Sequence, residues 1–127
     1  MIRLFLFVQA LIFAVFGTFM LLEPIELAAR MGMEIGGRNG SFEMRGIYGG
    51  VSLGIAVLCL VGGLNPVRYA RHTLFVLITY MGGYIFARAA AIMIEGPPSS
   101  EFWVYIVFEA VTGLCALLLL RSSVLQD

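Results

Sequence analysis

The chain has 127 residues, 61% of them hydrophobic, and a mean hydropathy of +0.97. A soluble domain of this size is only about half apolar, and the length predicts a single domain over residues 1–127. Eight Arg, no Lys and eight acidic residues leave zero net charge, which excludes a basic nucleic-acid surface and long-range steering of charged partners.

The first apolar run covers residues 4–22, behind Arg3. It is longer than the roughly 7–15 apolar residues of a signal peptide, so a retained transmembrane helix is expected. Gln9 in its first half is expected to hydrogen-bond to a neighbouring helix. The segment that follows predicts a short interfacial helix over residues 24–35. Glu23, Glu26, Arg30 and Glu34 would share one face, with Ile25, Ala28, Ala29 and Ile35 opposite. Glu26–Arg30 and Arg30–Glu34 are both i,i+4 pairs of opposite charge. Pro24 suits the first turn, and Gly36-Gly37 is expected to end the helix.

The second run, residues 46–64, opens on Glu43 and Arg45 and carries Gly46, Gly50 and Gly54 at i, i+4 and i+8. That spacing predicts a seam of close helix packing, within the chain or between copies. Asn65-Pro66 signals a turn leading through Arg68, Arg71 and His72 into the third run, residues 73–94. Tyr80, Tyr84 and Arg88 lie on one face of that run. Gly96-Pro97-Pro98 marks a second tight turn before the fourth run, residues 102–120, which holds Trp103, Tyr105, Glu109 and Thr112. Cys59 and Cys115 lie inside apolar runs without a CxxC and read as small hydrophobes.

Each run has at least nineteen residues, enough to cross about 30 Å of hydrocarbon at 1.5 Å per residue. The predicted fold is all-α, an integral membrane four-helix bundle. Arg3, the Arg68–His72 stretch and Arg121 fall on one side; the Glu-rich segment and the Glu95–Glu101 turn fall on the other. The positive-inside rule then predicts cytoplasmic termini. Trp103 and Tyr105 suit an outer aromatic belt, Tyr69 an inner one, and His72 headgroup contact.

The chemistry collects at one level. Glu43, Arg45, Arg88 and Glu109 all fall toward the predicted outer ends of their runs. A charge at mid-membrane costs about 2.5–3.5 kcal/mol on insertion scales, so such residues face the bundle interior and pair. Arg88 lies about 9 Å below the outer end of its helix and Glu109 about 10 Å below the start of the next. Their helices are joined by a short turn, which predicts an Arg88–Glu109 ion pair. Tyr48, Tyr84 and Tyr105 supply hydroxyls beside the charges, and Glu43 is a candidate partner of Arg45. The cluster reads either as a structural staple that sets which helix faces which, or as a binding site.

The string Glu43, Arg45, Gly46, Tyr48, Gly49, Gly50, followed by Arg88 and Glu109, resembles a family of small bacterial inner-membrane proteins known only as a domain of unknown function. The resemblance implies four transmembrane helices and that location, and carries no activity, catalytic residue or cofactor.

Three functions are open to such a chain. One is non-enzymatic binding of a small amphiphile, such as a lipid or quinone, with Arg45 and Arg88 at its head and Tyr48, Tyr84 and Phe108 along its body. Another is a homo-oligomer or accessory subunit of a larger membrane complex, assembled through the glycine seam. The third and weaker one is proton or ion transport, for which the inner half offers only scattered polar groups. An enzyme is not expected, because no nucleophile–base pair, paired Asp, metal-ligand spacing or nucleotide loop is present.

Overall fold

The computed structural model describes residues 1–124 and contains helices and no strand among them. Four helical stretches are long and apolar enough to cross a membrane: Ile2–Leu22, Gly37–Leu64, Pro66–Glu95 and Ser100–Ser122. The chain divides into two compact units, residues 1–70 and residues from 71 onward.

The first unit is built on α1 (Ile2–Leu22) and α4 (Val51–Leu64), which pack antiparallel. On α1 the buried residues Leu6, Gln9, Ala10, Phe13, Gly17 and Met20 recur every three or four positions, so one stripe faces inward. The rest of α1 remains apolar and exposed, as suits a surface solvated by lipid. The helices approach most closely where both lack a side chain. A Cβ on Gly17 would stand 3.0 Å from the Gly49 carbonyl oxygen and 3.0 Å from Leu53, and one on Gly49 would stand 3.2 Å from the Leu21 nitrogen. The expected seam of Gly46, Gly50 and Gly54 takes no part in this contact. A Cβ on Gly46 or Gly54 meets nothing within 4 Å, and one on Gly50 meets only the Arg45 carbonyl of its own helix.

The expected helix over residues 24–35 is shorter. α2 spans Pro24–Arg30 and stops in a Schellman motif, with Met33 N–H donating to Ala28 O at 2.9 Å and Gly32 N–H to Ala29 O at 3.0 Å. Gly32 takes a φ of 76°, a left-handed conformation that suits glycine. Arg30 therefore pairs with Glu26 at 2.7 Å, and Glu34 lies beyond the helix end. Gly36-Gly37 does not end a helix but precedes one. α3 (Gly37–Glu43) begins there and continues through a π-helical segment, Met44–Gly50, into α4. The second span thus starts nine positions earlier than residue 46. The wider i→i+5 turn leaves Gly49 buried while Gly46 and Gly50 are exposed.

Asn65 alone separates α4 from α5 (Pro66–Glu95), and Pro66 opens α5 where its missing N–H costs nothing. The expected polar turn through Arg68, Arg71 and His72 is accordingly helical. In the second unit α5 is followed by the Gly96-Pro97-Pro98 turn, a 3-10 turn over Ser100–Phe102, and α6 (Trp103–Val124). The two helices touch where Gly113 of α6 meets Met81 of α5, a Cβ there standing 3.2 Å from the Met81 Cβ.

Candidate functional site

The second unit carries the most concentrated polar chemistry. Glu109, one turn and a half into α6, is buried, with 7% of its surface exposed. Arg88 on α5 approaches it side-on. Nη2 donates to Oε1 at 3.1 Å and Nε donates to Oε2 at 3.4 Å. Two contacts fix the plane of the guanidinium as well as its distance. Arg88 also stands 4.7 Å from the Phe102 ring centroid and 5.4 Å from that of Tyr84, within cation–π range of both. Tyr84 shares a 3.1 Å hydrogen bond with Tyr80, their rings edge-to-face at 5.0 Å. Tyr105 leans on Phe102 at 5.7 Å. Thr112, one turn below Glu109, is buried.

Beside this pair lies a pocket of about 220 Å³. Arg88, Ala91, Ile92 and Glu95 of α5, Pro97 and Pro98 of the turn, and Phe102 and Ile106 line it. A guanidinium has five N–H groups. Two of those on Arg88 reach Glu109, and the other three have no partner among the described residues. Arg88 therefore brings to the pocket's lining a hydrogen-bond donor held next to a carboxylate that cancels its charge.

In the first unit Arg45 does not pair with Glu43. Residues two apart on a helix do not face each other, and Arg45 turns to α1 instead. Its Nε donates to the Leu21 carbonyl at 2.9 Å and its Nη1 to Ser41 Oγ at 2.7 Å. The Leu21 carbonyl belongs to the last turn of α1, which has no partner within its own helix. The opposite end is treated the same way: Arg3, in the first turn of α1, donates from Nε to the Gly63 carbonyl in the last turn of α4 at 3.2 Å. Each helix thus closes the other's C-terminus with a cation, where the helix dipole favours positive charge. Glu43 is exposed and has no ion pair among the described residues, and Tyr48 is half-buried in the π-helical segment.

Two features of these sites were not foreseen from residue spacing. The Arg3–Gly63 contact joins positions sixty apart, and its signal was only that an Arg stood in the first turn of one span and Gly62-Gly63 closed another. The pocket depends on the Gly96 backbone, whose φ of 90° turns the chain so that Pro97 and Pro98 join its lining.

No curated protein and no solved structure matches this chain. Residues 1–120 match the family model described as Domain of unknown function (DUF4345). A match over nearly the whole length, on a chain with four helices of membrane-spanning length, makes this protein a member of that family.

Proposed function

We propose that this is a multi-pass protein of the bacterial cytoplasmic membrane that binds the uncharged polar head of a small amphiphile in the Arg88 pocket and performs no chemistry on it. The observation that carries the reading is a pocket lined by Arg88 together with Ile92, Pro97, Phe102 and Ile106, in which three guanidinium N–H groups of Arg88 have no partner among the described residues. Glu109 neutralises Arg88, and Glu95 stands on the rim. A full anion would have to compete with one carboxylate and pass another, whereas a carbonyl accepts the spare N–H groups without displacing anything. At about 220 Å³ the pocket is smaller than the roughly 300–1,000 Å³ of drug-sized sites, so it suits a head group whose tail runs outside into lipid. A quinone ring or a glyceride ester meets these requirements. Arg3, Arg68, Arg71 and Arg121 on one side against Arg30 and Arg38 in the segment on the other support cytoplasmic termini by the positive-inside rule.

The test is titration of the purified protein with decyl-ubiquinone and with a short-chain diacylglycerol. Saturable binding of either, abolished by Ala91→Phe, supports the reading; no binding of either, or binding indifferent to Ala91→Phe, rejects it. A second reading, self-association, is favoured by the Gly46, Gly50 and Gly54 face, which takes no part in the packing against α1. Gly50→Leu would then lower the particle mass in nanodiscs, and an unchanged mass would remove it.

A further inference from the structure

The first unit holds a second cavity system, unrelated to Arg88. On the exposed side of α1, Leu11, Ile12, Val15, Phe16 and Phe19 form a stripe that, with Leu27 of α2, lines an open, wholly apolar groove of about 400 Å³. From Leu11 to Phe19 the stripe runs about 12 Å along the helix axis. At its upper end Phe19 and Leu27 also wall a second cavity of about 320 Å³, whose other residues are Glu23, Glu26 and Arg30. The two are therefore continuous, apolar along the helix and charged at the mouth. α2 holds this geometry because Pro24 and Ala28 are buried and the Gly32 cap stops the helix at Arg30, leaving Glu26 and Arg30 paired at 2.7 Å over the opening.

We propose that this groove is a binding site for a membrane phospholipid with a phosphoethanolamine head. One acyl chain lies along Leu11–Phe19, the phosphate meets Arg30, and the ammonium donates to Glu23 and Glu26. Charge selects this head. Two carboxylates against one guanidinium leave the mouth one net negative charge, which disfavours an anionic lipid. The same carboxylates accept hydrogen bonds that a primary ammonium donates and a quaternary choline cannot. Every wall residue belongs to α1, α2 or the Glu23 joint between them, so the site is complete within one compact unit.

The experiment is native mass spectrometry of the protein released from nanodiscs of equal parts phosphatidylethanolamine, phosphatidylcholine and phosphatidylglycerol. The expected result is retained phosphatidylethanolamine at about fivefold over phosphatidylcholine, the weight of one exposed charge-assisted contact. Glu23→Gln should erase that preference while leaving circular dichroism unchanged. Val15→Trp, which fills the groove, should lower retention of the lipid itself. Equal retention of the three lipids, preference for phosphatidylglycerol, or a preference indifferent to both variants overturns the assignment. A dimer lost on Val15→Trp with no lipid preference gives the groove to a second copy and also overturns it. Ala91→Phe acts on the Arg88 pocket and Val15→Trp on the groove, so the two sites fail independently.

Discussion

Replacing Glu109 with Gln keeps the size of the side chain and removes its charge, leaving the Arg88 guanidinium without its counter-ion. Removing one partner of a buried pair costs about 3–5 kcal/mol. The low end applies here because the Arg88 side chain retains 24% exposure whereas Glu109 retains 9%. About 3 kcal/mol in a chain of this length lowers the unfolding midpoint by roughly 10 °C. Cys59 offers a built-in reporter: it is fully buried, so a thiol-reactive fluorogenic dye in detergent reads its exposure as the first unit opens. Cys115→Ala gives that signal one source. Because Cys59 lies in the first unit and Glu109 in the second, loss of far-ultraviolet ellipticity is followed in parallel to read the whole chain. Arg88→Leu/Glu109→Leu should recover most of the loss, since an apolar pair needs no mutual neutralisation. If Glu109→Gln leaves both midpoints unchanged, or the double variant is as damaged as the sum of the singles, the two groups are not coupled and the pairing argument fails.

Gly17→Ala should destabilise by about 1–3 kcal/mol in the same melts, because the new Cβ presses on the Gly49 backbone, which cannot give way. Gly54→Ala is the matched control and should be neutral or stabilising by up to about 1 kcal/mol, since nothing lies within 4 Å of its Cβ. Gly32→Ala should cost about 1–2 kcal/mol locally, through the left-handed φ of 76°, and should speed amide exchange across Pro24–Arg30. Arg45→Gln should cost about 1 kcal/mol by leaving the Leu21 carbonyl to find another donor, read as faster exchange at the end of α1.

Hydropathy and length alone locate four spans, because crossing a bilayer demands long apolar runs whatever they pack against. Asn65-Pro66 and Gly96-Pro97-Pro98 mark real breaks, since proline and glycine act on their own backbone. Rise per residue sets Arg88 and Glu109 at one depth on helices joined by a short turn, and they stand 3.1 Å apart. What spacing did not reveal depends on backbone departures that no side-chain period records. The π-helical turns of Met44–Gly50 shift which glycines face α1, so a 3.6-residue period selects Gly46 and Gly50 where contact selects Gly49. Gly32 stops the helix before the more conspicuous Gly36-Gly37 pair is reached, which leaves Glu34 outside it. Arg45 was expected to seek a carboxylate, but an unpaired carbonyl at the end of α1 satisfies a guanidinium equally well.

The exchange of arginines between α1 and the second span, Gly37–Leu64, bears on how this protein is made. Leu21 can receive its cation as soon as Arg45 has been made, whereas Arg3 waits for Gly63, so the hairpin closes first at the start of the second span and last at its end. After that, sliding one helix along the other by a turn would break a contact at each end at once. A movement that carries the two helices together as a lever keeps both contacts, whereas a piston stroke of one against the other gives up both.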